Sequence, residues 1–120
     1  MRIAVATDQD FVASHFGCCP ACTIVDIEGG QIRETLIIPN PGCHHAFWGD
    51  LFCRNSIKTL ITGNMGTQAK SVLRGFGIDL ILGVEGPFKE AVRRFIDGEL
   101  RSEPTPEVAP GTAGPCNRTS

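Results

Sequence analysis

The chain carries no surplus of positive charge: 11 Lys and Arg stand against 13 Asp and Glu, giving a formal net charge of -2 and a sequence pI near 5.9. Nucleic-acid binding relies on a basic field over the phosphates, so that class of partner is not expected. No apolar run approaches the roughly 20 residues that span a bilayer, and no membrane partner is expected either. The opening, Met1-Arg2-Ile3-Ala4-Val5-Ala6-Thr7-Asp8, lacks the long apolar core and small-residue cleavage site of an export signal and reads as a core strand. The expected compartment is therefore the reducing cytoplasm, where cysteines serve as ligands, catalytic thiols or packing groups more often than as a disulfide framework. A P-loop and a dinucleotide fingerprint are missing, and Asp8, Asp10, Asp26 and Glu28 do not pair at a spacing diagnostic of acid-base work. The chain is not expected to be an enzyme.

What is present is a crowd of soft metal-ligand residues. His15, Cys18, Cys19, Cys22, Cys43, His44 and His45 place all three histidines and four of the six cysteines within a window of 31 residues. Thiolate and imidazole hold zinc, copper and iron-sulfur clusters, so this density points to metal chemistry. A length of 120 residues with 42% apolar content suits one domain that buries roughly 65% of its unfolded surface.

The pattern along the chain is α/β. Ile3–Thr7 is a β-branched run suited to a strand buried on both faces. Cys22–Glu28 and Gln31–Ile38 flank Gly29-Gly30, a two-residue turn that suits positive φ in a tight hairpin. A short helix is expected from Ala46 to about Asn55. A strand (Ile57–Thr62), a tight loop (Gly63–Gly66) and a helix (Thr67–Gly75) follow, then a strand (Ile78–Leu82) and a helix from Pro87 to about Asp97. Residues 101–120 hold four prolines and one large aliphatic residue, Val108, the composition of a disordered tail. The expected organisation is thus a domain over residues 1–100 and a tail over 101–120.

Strand directions turn sequence density into a claim about space. Hairpin logic makes the second strand antiparallel to the first and third, while helical crossovers favour parallel fourth and fifth strands. His15 to Cys22, Cys43 to His45, Asp8, the Gly63–Gly66 loop and Glu85 then share one rim, outside the carboxyl ends of the parallel strands, where open α/β sheets place ligands. Backbone N–H groups of the Asn64-Met65-Gly66 stretch open a helix and suit an anionic group. Asp8, Asn64, Met65 and Gly66 are the expected cofactor contacts.

Two chemistries fit the thiols. Cys19, Cys22, Cys43 and one of His44 and His45 would satisfy a tetrahedral zinc site. Cys18, Cys19, Cys22 and Cys43, in some combination, would hold an iron-sulfur cluster. Cys19-Pro20-Ala21-Cys22 is also a C-x-x-C, so a zinc-binding or thiol-redox module is the alternative function. Its position before a strand, rather than at a helix amino terminus, favours ligation over redox chemistry. Cys53 reads as core packing and Cys116 as incidental.

These segments also carry a family resemblance. Ile3-Ala4-Val5-Ala6-Thr7-Asp8, His15-Phe16-Gly17, Asn40-Pro41-Gly42, Gly63-Asn64-Met65-Gly66, and Glu85-Gly86 leading into Glu90-Ala91-Val92 resemble the nitrogenase iron-molybdenum cofactor biosynthesis family. This is the group of small carriers related to NifX, NafY and the carboxy-terminal domain of NifB, and the likeness covers about residues 1–100. It implies a three-layer α/β/α ribonuclease-H-like motif with a mixed five-stranded sheet of order 3-2-1-4-5. It also implies binding an iron-sulfur or molybdenum-containing cluster for storage or delivery to a metallocofactor assembly or acceptor protein. A monomer or weak homodimer is expected. Cys18-Cys19 departs from the arginine and small residue usual after His-Phe-Gly, and Asn64 stands where a glycine is common.

Overall fold

The computed structural model describes residues 1–16, 19–40 and 45–100, with the backbone alone for His45 and Ala46. The reading of residues 101–120 as a tail falls outside them. In chain order the elements are β1 (Arg2–Asp8), β2 (Phe11–Val12), β3 (Ala21–Glu28), β4 (Gln31–Pro39), α1 (His45–Arg54), β5 (Ile57–Ile61), α2 (Thr67–Gly75), β6 (Asp79–Ile81) and α3 (Phe88–Ile96). The result is a mixed α/β fold with a central mixed sheet and three helices.

The sheet runs β4-β3-β1-β5-β6, with β2 paired to β1 off this path. Setting β2 aside, this is the expected strand order. β3 lies antiparallel to β1 and to β4, whereas β5 is parallel to β1 and β6 to β5. Gly29 and Gly30 both take positive φ, 61° and 76°, the pair of values a tight β3–β4 turn with the right twist demands. β2 escaped the pattern because two residues are too short to show a period.

Alternation along β1 divides the core in two. Ala4 and Ala6 face a cluster with Ile24, Leu60 and Leu80, covered by Trp48 and Phe52 of α1 and Ala69 and Leu73 of α2. Ile3 and Val5 face the opposite cluster with Val25, Ile61 and Ile81, covered by Ala91 and Val92 of α3. Small alanines on the first face leave room for the Trp48 and Phe52 rings, which stack with centroids 5.9 Å apart. β4 is an edge strand: Leu36 and Ile37 are 61% and 65% exposed.

Helix ends follow local chemistry. Pro87 occupies the N-cap of α3 with φ of -61°, just before the first helical residue rather than inside the first turn. Gly77, at φ 81°, lets the chain leave α2 and turn into β6.

Candidate functional site

The loop after β1 forms a strap across the rim. Beyond the β1–β2 turn, Val12 N donates to Gly86 O at 2.9 Å and Gly63 N to Ala13 O at 3.0 Å. Asn64 N donates to Ser14 O at 2.8 Å, and Phe16 N to Asn64 O at 2.9 Å. His15 and Asn64 thereby form a parallel bridge, so two segments expected on one rim do meet there. Gly63 is required by this approach: a Cβ on it would stand 2.7 Å from Ser14 O and 2.8 Å from Ser14 Cα. Phe16, only 1% exposed, pins the strap to the core edge-on against Trp48 with ring centroids 6.4 Å apart.

The expected contacts separate by burial. Asp8, His15, Asn64 and Gly66 are exposed, whereas Met65 is buried in the cluster beneath α1 and α2. Gly66 is the N-cap of α2 and makes no side-chain cap.

Cys19 and Cys22 occupy the other half of the rim. Cys22 sits on β3 between Ala6 of β1 and Ile38 of β4, and alternation turns it into the cluster that holds Ala6. Both thiols are unbridged, at 3% and 0% exposure. Cys19, expected as a metal ligand, is buried, and Asn40 holds its segment down: Asn40 Nδ2 donates to Cys19 O at 2.8 Å and Asn40 N to Pro20 O at 2.8 Å. Donation from Cys22 holds the Cys19 thiol below its ordinary value of 9.0 against the opposing effect of burial, with further help from the backbone N–H groups of Cys19 and Ala21 and from Asn40. Cys22 is held well above 9.0 by that same bond, by burial, and by the charge on Cys19. Cys19 is therefore the more acidic of the two thiols and Cys22 the less acidic.

Asn40 is the residue of this corner that sequence reading passed over, as part of a strand-breaking Asn-Pro-Gly. Its position at the end of a strand paired with the C-x-x-C strand was the available signal.

The expectation of a resident iron-sulfur or Fe/Mo-containing cluster, or of zinc, is corrected. Among the described residues no group of three or more His, Cys, Asp or Glu side chains comes together to hold a metal ion. Cys19 and Cys22 are buried in the apolar core, while His15 is exposed on the strap. Cys18, Cys43, His44 and the side chain of His45 lie outside the described residues. Cys53 is taken up in a disulfide rather than serving only as packing, with its Sγ 3.5 Å from Phe76 O.

With this geometry in view, comparison with known proteins defines the class. The model of the family described as dinitrogenase iron-molybdenum cofactor matches residues 1–98, and the chain belongs to that family. An uncharacterized protein of Methanocaldococcus jannaschii, MJ0580, is 31% identical over 105 residues, covering 83% of this chain and 89% of that one. The crystal structure of PH0822 superposes with a TM-score of 0.75 at 26% identity, covering 86% of this chain and 95% of the other. The apo form of the orange protein from Desulfovibrio gigas shares the fold, with a TM-score of 0.72 at 24% identity over 89% of this chain and 96% of that one. Family membership associates the chain with metallocofactor handling. Among the described residues no helix is long and apolar enough to cross a membrane.

Proposed function

We propose that this chain is a cytoplasmic, non-catalytic accessory protein of metallocofactor assembly, and that it meets an assembly or acceptor protein on the rim. The family match over residues 1–98 carries this reading. The strap supports it: His15 and Asn64 are exposed side by side on a backbone frame fixed by hydrogen bonds, which suits recognition better than chemistry. Asp8 and Gly66 extend the same exposed surface. The metallocofactor is cargo passed between other proteins, so this chain needs no complete ligand set of its own. A ribonuclease-H-like motif, one domain over residues 1–100 and a monomeric or weakly dimeric state belong to the same reading.

The test is a transfer assay under anaerobic conditions, with a metallocofactor-loaded assembly protein as donor and its cofactor-free target as acceptor. Metal in the acceptor is followed by elemental analysis after rapid separation. The chain is expected to change the rate of transfer, and the double variant His15→Ala, Asn64→Ala to lose that effect while staying folded. Equal transfer with and without the chain would sink the proposal.

A further inference from the structure

We infer that the outer edge of β4 is a docking strand for an extended segment of a partner protein, one that sets a lysine or arginine opposite Glu34 and aliphatic residues opposite Leu36 and Ile38. This surface lies outside the rim, and the inference goes beyond the role proposed above without resting on it. β4 closes one side of the sheet and, among the described residues, pairs with β3 alone. One row of its backbone N–H and C=O groups therefore has no ladder partner. Natural sheets guard such an edge with lysine, proline, a bulge or a covering segment. Here the register shift lies at one end, beside Arg33, and Pro39 lies at the other. The stretch between them, Glu34–Ile38, holds neither lysine nor proline. It is apolar on both faces: Leu36 stands opposite Ile24 and Ile37 opposite Thr23, and both are more than half exposed. A strand laid against this edge gains main-chain hydrogen bonds and alternating side-chain contacts together.

Charge selects the occupant. The ladder sets Arg2 of β1, Asp26 of β3 and Glu34 of β4 in one row across three strands. Two carboxylates directly opposite each other on neighbouring strands repel. Among the described residues neither Asp26 nor Glu34 joins an ion pair. Arg33 pairs with Glu28 instead, and Arg2 donates to Asn55 O at 3.3 Å. A strand added beyond β4 places its own residue fourth in that row, where a cation meets Glu34 at cross-strand distance. If it runs antiparallel, as β4 does to β3, its residues two and four positions earlier stand against Leu36 and Ile38. Those two side chains line a groove with Ile24, Asp26, Glu34 and Arg2, apolar along its length and acidic at one end. A second copy of β4 fits less well. Its one cation, Arg33, is engaged with Glu28 of its own chain, so it has none to offer Glu34.

The test follows the isotope-labelled full-length chain by NMR as it is titrated with a blocked peptide, acetyl-Thr-Val-Thr-Val-Thr-Lys-Thr-amide, and with the same peptide carrying Glu in place of Lys. Amide shifts are expected to change along Glu34–Ile38. The Lys peptide is expected to bind about fivefold tighter, the effect of replacing a like-charge pair by an opposite-charge pair across adjacent strands. In Glu34→Lys the preference between the peptides is expected to reverse. That variant should fold at least as stably as wild type, because the new lysine stands opposite Asp26. Unchanged β4 amides, equal binding of the two peptides, or a preference that does not reverse in Glu34→Lys would each overturn the inference. So would β4 shifts that grow with the concentration of the chain alone, which would assign the edge to a second copy.

Discussion

On the β5–β6 side of the rim the chain is held by backbone hydrogen bonds, and on the β3–β4 side the Asn40 side chain joins the backbone in holding it. The strap over residues 11–16 gives its N–H and C=O groups to the Gly63–Asn64 and Gly86 segments, an arrangement any sequence small enough at Gly63 can satisfy. The thiol corner also depends on a particular side chain, because the Asn40 amide donates to Cys19 O. The first half is therefore sensitive to volume and the second to functional groups.

Substitutions that attack each half in its own terms sharpen the contrast. The largest effect is expected from Phe16→Ala, which removes the anchor of the strap from a fully buried site. Chemical denaturation should show a loss of about 3–5 kcal/mol, the usual cost of truncating a buried phenylalanine. Gly63→Ala adds a methyl against backbone rather than a movable side chain, and about 1–3 kcal/mol is expected from overpacking. Hydrogen exchange should localise that damage to residues 12–16. If both variants matched wild type in stability, the strap would not be a volume-limited frame.

On the thiol side, Asn40→Ala should cost less stability, about 1 kcal/mol for a lost net hydrogen bond. Its distinguishing effect is an upward move of the Cys19 pKa, read from the pH dependence of alkylation. An unchanged pKa would show that Asn40 does not act on the Cys19 thiol.

The smallest effect is expected in the pH dependence of stability, because the two thiols act in opposite directions. Cys19 is held below 9.0 in the fold, so its contribution is full above 9.0 and is lost as pH falls through its folded pKa. Cys22 is held well above 9.0, so its contribution is full below 9.0 and is lost as pH rises through its folded value. Stability against urea should climb toward pH 9.0 and decline above it. Cys19→Ser should flatten the climb, and a climb of undiminished slope would assign it to other groups.

Much of the scaffold was legible because its signals are local. Gly29-Gly30 between two alternating runs leaves little but a hairpin, and Thr67–Gly75 carries Ala69 and Leu73 at helical spacing with glycine beyond its end. Hairpin and crossover rules then order the five main strands. The rim as the meeting place of His15 and Asn64 followed from those directions. What did not follow was the state of each cysteine. Cys19 read as an exposed ligand, yet two bonds from Asn40 press its segment onto the core, and the metal site expected from seven clustered residues does not assemble among those described.

The sequence alone determined the class of fold, its strand order and its family, because periodicity, turn glycines and short motifs act over a few residues and survive without knowledge of neighbours. Only the tertiary structure decided what the Cys and His crowd does. Pairing register turned Cys22 toward Ala6 and the core, and a residue's face changes with a one-residue slip that composition does not reveal. The end of β4 brought Asn40 to the Cys19 carbonyl across 21 residues of chain, and that contact holds the Cys19 segment down on the core.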